Sequence, residues 1–126
     1  MRIQLRDDLP FVTVSIHYRG QEIAIPNVLI DTGSATSMFS ADWLSRIGIQ
    51  PEADDVLQTV RGVGGVEVVY LRQVDNLTVD TRKMENFEIE VGGMDYGFQV
   101  DGILGMDFLV PAGAMIDLKS LEIAFG

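Results

Sequence analysis

The sequence predicts an all-β fold, a closed or sandwich-like barrel carrying one or two short helices. Several short segments alternate apolar and polar residues at the strand period. Glycine, asparagine, aspartate and proline punctuate them at short intervals, and only two brief stretches switch to helical spacing.

The first segment, FVTVSIHY (11–18), puts Val12, Val14, Ile16 and Tyr18 on one face and Thr13, Ser15 and His17 on the other. Arg19-Gly20 then marks a turn, and QEIAIPNVLI (21–30) returns, so 11–30 predicts a hairpin. Pro26 offers no N–H to a ladder and marks an edge or an irregularity there. In SADWLSRIG (40–48) the period changes: Ser40 is a candidate N-cap, Trp43, Leu44 and Ile47 follow at helical spacing, and Gly48 is the stop. Residues 50–55 are polar and turn-like. Two strand-like arms in 56–74 flank Gly62-Val63-Gly64-Gly65, and further strands are predicted at 75–80 and 86–91. A brief apolar run, a glycine and a short helical stretch fill 100–113, and 114–126 predicts a last hairpin turning near Lys119-Ser120.

With 126 residues, 47% of them hydrophobic, the chain is sized for a single domain over 1–126 with one core. A net charge of −10 argues against nucleic acid, which needs basic patches. The absence of cysteine excludes disulfides, thiolate metal sites and cysteine nucleophiles. MRIQLRDDLP lacks the apolar stretch of a signal peptide, and no apolar run reaches the length of a membrane helix. These features point to the cytoplasm and to no membrane segment in this chain. No cluster of metal-ligand residues suggests a metal, and no cofactor is expected.

One stretch needs a chemical reason. VLIDTGSAT (28–36) ends an apolar run on a lone acid, Asp31. On Asp-Thr-Gly alone, an Asx-type turn closing a strand is the simpler explanation. Gly33 also permits a tight loop that brings backbone N–H groups to the carboxylate, and Thr32 and Ser34 supply hydroxyls to brace it. His17 reads as a solvent-facing strand residue, Asp7-Asp8 and Asp54-Asp55 as solvated loop acids, and Trp43 and Phe108 as core. Asp107 reads as a cap or brace of the second helix.

Three stretches together resemble the retropepsin-like aspartic proteases, the single-lobe relatives of pepsin-type enzymes. They are VLIDTGSA (28–35), the glycine-tipped hairpin RGVGGVEVVYLRQV (61–74), and DGILGMDFL (101–109), in the family's order and spacing. The resemblance implies an acid-protease barrel with a β-hairpin flap. It implies Asp31 as the catalytic acid, Thr32 as the residue that hydrogen-bonds across a dimer axis, and Gly33 as the glycine meeting the substrate backbone. Gly62, Val63, Gly64 and Gly65 correspond to the flap, with Val63 near its tip. Ile103-Leu104-Gly105 corresponds to the element beneath the active-site loop. A polypeptide substrate would then contact Ser34, Ala35, Val60, Ile103 and the flap, with apolar walls favouring apolar side chains.

Peptide hydrolysis by carboxylates needs one acid ionised and one protonated. Two facing carboxyls achieve this because like charges so close cannot both ionise, a rule for which aspartic proteases are themselves the standard example. The chain holds one Asp-Thr-Gly, so a homodimer must supply the second copy of Asp31 on its two-fold axis. Retroviral members brace the loop with an acid and an arginine, where this chain has Ala35 and Met106. That departure leaves a rival reading open: a protease-derived module that binds peptide or dimerises without cutting.

Overall fold

The computed structural model describes residues 1–62 and 65–126, with side chains described outside 61–65. These residues form ten strands and two short α-helices. The strands are β1 (Gln4–Arg6), β2 (Leu9–Tyr18), β3 (Gln21–Ile30), β4 (Met38–Ser40), β5 (Leu57–Gly62), β6 (Gly65–Val79), β7 (Arg82–Gly92), β8 (Gly102–Leu104), β9 (Ala114–Asp117) and β10 (Glu122–Phe125). The helices are α1 (Ala41–Leu44), continued by a 3₁₀ turn at Ser45–Ile47, and α2 (Met106–Leu109). The main sheet runs β1-β2-β3-β8-β4-β7-β6-β5, and an added β2–β6 pairing closes six of these strands into a ring. The all-β expectation therefore holds.

Periodicity explains the ring. Val12, Val14, Ile16 and Tyr18 are all buried, as their alternation requires. They pack inside it with Ile25, Leu77, Ile89, Leu104 and Phe108. Arg19 (φ 48°) and Gly20 (φ 82°) form the left-handed pair that a two-residue hairpin needs. The β2–β3 register slips between Val12, opposite Val28, and Val14, opposite Ile25. That bulge falls at Pro26-Asn27, where proline cannot donate to the ladder. Leu44 and Ile47 anchor the helical turn, and Gly48 stops it at φ 82°. Ser40 stands at the N-cap without a side-chain cap bond.

Three local expectations need correction. The strands expected to part near residue 75 are one, β6, which pairs with β5, β7 and, at Thr78, with Ser15 of β2. The polar pair Asp75-Asn76 causes no break because each finds a partner: Asp75 accepts from the Arg19 N–H, and Asn76 meets the His17 ring. His17 itself is half-buried, with Nε2 2.8 Å from Glu22 across the hairpin. Asp55 is not a free loop acid either. The Glu52 N–H and the Arg72 guanidinium, 3.0 Å away, hold its carboxyl below the ordinary value. Arg72 is buried and reaches Tyr18 and the Gln50 carbonyl as well, so it ties the 50–55 loop to the barrel wall.

The chain ends meet. Arg2 bridges Glu122, the Ile3 N–H donates to Leu121, and the Ile123 N–H donates to Met1. The N-terminal residues and β10 thus pair with each other. Phe125 of β10 packs edge-on against Phe108, whose other side meets Phe87, each pair with centroids 6.1 Å apart.

Candidate active site

The topology around β8 builds the site. Leu29 and Ile30 of β3 lie parallel to Ile103 and Leu104, while Met38 and Phe39 of β4 lie antiparallel on the other side. Loop 31–37 must therefore cross over the end of β8, and its hydrogen bonds are made to that end. The Asp31 N–H donates to the Leu104 carbonyl at 3.0 Å, Met106 N–H to Ser34 at 2.8 Å, and Asp107 N–H to Ala35 at 3.2 Å.

Asp31 sits half-buried at the start of this loop. Its Oδ1 accepts the Gly33 N–H at 2.9 Å, and its carbonyl accepts the Ser34 N–H at 3.1 Å. A Cβ at position 33 would stand 3.2 Å from Oδ1, so glycine keeps the acid's backbone donor close. Ser34 Oγ donates to the Thr36 carbonyl at 2.7 Å, tightening the turn. Thr32 is exposed.

The bracing absent at Ala35 and Met106 is provided two residues after the first and one after the second. Ser37, fully buried, donates from its backbone N–H to Asp107 Oδ2 at 3.0 Å and from Oγ to Oδ1 at 2.7 Å. The same Oγ accepts the Gly105 N–H at 2.9 Å. Asp107 thus holds the active-site loop rather than its own helix. Replacing Ser37 with alanine strands a buried N–H and a carboxylate oxygen, and should cost about 2 kcal/mol in urea unfolding. A second brace lies upstream: Asn27 donates to the buried Asp101 carboxylate at 3.1 Å and accepts from Arg6 at 2.9 Å.

Asp31 opens onto a cleft of about 590 Å³. Gly33, Ser34, Val60 and Ile103 line it, and so do Met38, Glu90, Tyr96 and Phe98. Beneath lies a second apolar cluster of Phe11, Met38, Val69, Met94 and Val100. Ala35 is exposed and stands outside the described lining, its carbonyl engaged by Asp107. Gly62 and Gly65 face each other across the β5–β6 ladder. Val63 and Gly64, expected at the flap tip, lie outside the described residues.

Sequence reasoning missed Glu90, Tyr96, Phe98 and Ser37. In NFEIEV, Phe87, Ile89 and Val91 face the core, so Glu90 falls on the face that alternation assigns to solvent. Only the knowledge that loop 93–100 folds back over that face would have moved it indoors.

Comparison with known proteins bears on this geometry. Residues 12–108 match the family model for aspartyl proteases. The chain belongs to the aspartyl protease family. No curated protein matches it. Among solved structures it is similar to a retropepsin-like aspartic protease from Rickettsia conorii, at 19% identity and a TM-score of 0.67. The likeness covers 98% of this chain and 95% of the other. At that identity it speaks for the fold, which is retropepsin-like. Within this aspartyl protease the three stretches singled out above become one neighbourhood: the Asp31 loop, the β8–α2 element beneath it, and the hairpin arm carrying Val60.

Proposed function

We propose that the chain is an aspartic endopeptidase acting as a homodimer, with one Asp31 from each protomer forming the catalytic pair. The observation that carries this is a single half-buried aspartate, fixed by a backbone N–H, at the floor of a mostly apolar cleft on an aspartyl protease fold. One carboxyl cannot accept and donate a proton at once, and a second Asp-Thr-Gly is missing from the chain. A two-fold axis near the loop supplies the second acid.

With both acids in place, the ionised carboxylate takes a proton from water as its oxygen bonds to the scissile carbonyl carbon. The protonated carboxyl gives its proton to the carbonyl oxygen. Proton transfer to the nitrogen then lets the C–N bond break, and the dyad returns to one shared proton. An extended polypeptide suits the cleft, since main-chain hydrogen bonds fix its register while alternate side chains enter pockets. In such a dimer the exposed Thr32, next to Asp31, hydrogen-bonds across the axis. The Ser37–Asp107 brace supports the cutting reading over a non-cutting module, because the loop is held despite Ala35 and Met106.

Digestion of a proteome-derived peptide library tests the proposal. Cuts at defined positions are expected, and intact peptides across acidic and neutral pH would contradict it.

A further inference from the structure

The Asp31 cleft is apolar along its walls and acidic elsewhere. Leu29, Met38, Val60, Val100 and Ile103 supply aliphatic surface, while Glu90 and Asp95 join Asp31 as its charged residues. Among the described residues no lysine, arginine or histidine lines it.

Glu90 is not an ordinary surface acid. It is 5% exposed, and burying a carboxylate is unfavourable unless charge or hydrogen bonds compensate. One compensation is present: Thr36 Oγ1 donates to Oε1 at 2.7 Å. No donor among the described residues meets Oε2. The charge is felt on the cleft wall. Partial burial pushes the Tyr96 phenol above its ordinary value, and the nearby Glu67 and Glu90 carboxylates push it further. No group of three or more acids or histidines among the described residues is disposed to hold a metal ion. What the surroundings do fit is a long side chain with an aliphatic stem and a cationic end. The stem packs on the apolar walls, as lysine and arginine stems commonly do. Tyr96 and Phe98, 38% and 45% exposed, add aromatic side chains to the lining, a residue type that attracts a cation.

We propose that Glu90 is a specificity determinant that selects a lysine or arginine near the scissile bond of the polypeptide substrate. This rests on the endopeptidase reading, and it refines the expectation of apolar substrates: the walls take the stem and Glu90 takes the head. A mostly desolvated carboxylate with no cationic partner among the described residues discriminates strongly, because a neutral substrate residue leaves its charge uncompensated.

Binding and cleavage are measured separately. Peptide sets identical except for lysine, acetyl-lysine or norleucine at one position are titrated against Asp31→Asn protein, which does not depend on turnover. The lysine peptide should bind about tenfold tighter than either neutral partner. Adding Glu90→Gln should bring the ratio close to one; glutamine keeps the oxygen that Thr36 bonds, and a melting curve checks the fold. The acetyl-lysine comparison needs no variant at Glu90. Wild-type cuts in a library should show lysine and arginine enriched at one fixed position. Equal or undetectable binding of the three peptides overturns the proposal, as does a preference that Glu90→Gln leaves untouched. A lysine preference in binding with no cleavage by wild type sinks the endopeptidase reading and leaves the recognition standing.

Discussion

Asp31→Asn protein should fold and melt like wild type while cutting unstructured polypeptides at least about 10⁴-fold more slowly. The amide keeps an oxygen where Oδ1 accepts the Gly33 N–H, so the loop loses nothing it uses for structure. It loses the ability to ionise. In a homodimer both members of the pair change together, so neither can deprotonate water nor hold the shared proton. Turnover measured on a fluorogenic peptide, with thermal melts beside it, checks both halves. A slow rate with a collapsed melt would speak only of folding, whereas a slow rate on an intact fold assigns the chemistry to this residue.

Gly105→Ala should be the most damaging small substitution near the site, lowering stability by about 3 kcal/mol and the melting temperature by roughly 10 °C. A Cβ there would lie 2.4 Å from the Thr36 carbonyl oxygen, 2.7 Å from its carbon and 2.9 Å from the Ser34 oxygen. All three are backbone atoms of the loop that crosses β8, so no side-chain rotation relieves the contact. The loop must lift, and lifting stretches the Met106-to-Ser34 and Gly105-to-Ser37 bonds that position Asp31. Activity should fall further than the lost folded fraction accounts for. Comparing activity per folded molecule with the unfolding curve measures that difference. Gly20→Ala is the control: its added Cβ meets nothing within 4 Å, so the cost there comes from backbone strain alone.

These two positions show what the sequence made legible. Strand β2 could be read because Val12, Val14, Ile16 and Tyr18 are buried in alternation, and β3 because Ile25, Val28 and Ile30 bury its inner face on both sides of the bulge. The Asp31 loop and the Ile103-Leu104-Gly105 element could be found through their resemblance to the protease family, and Gly33 and Gly105 stand where an added Cβ would crowd the loop. Strand β4 was not legible: Met38, Phe39 and Ser40 are all buried, and three residues carry no period. The continuity of β6 was hidden by Asp75-Asn76, whose turn character is cancelled by partners from β2 and the hairpin turn after it. The Ser37–Asp107 brace was invisible for another reason. Its members stand 70 residues apart, and neither type is rare enough to mark a contact by itself. Glu90 shows the limit of alternation most clearly. A strand assigns its residues to two faces, but only the tertiary fold decides whether the second face meets water or a cleft.

The most direct test mixes wild-type chains with a roughly nine-fold excess of Asp31→Asn chains, allows subunit exchange, and measures activity per wild-type chain. If each site needs an Asp31 from two protomers, most wild-type chains become trapped in hybrid dimers and their activity should fall about tenfold. Activity that stays proportional to the wild-type chains alone would mean that one protomer cuts by itself, and would contradict the shared pair.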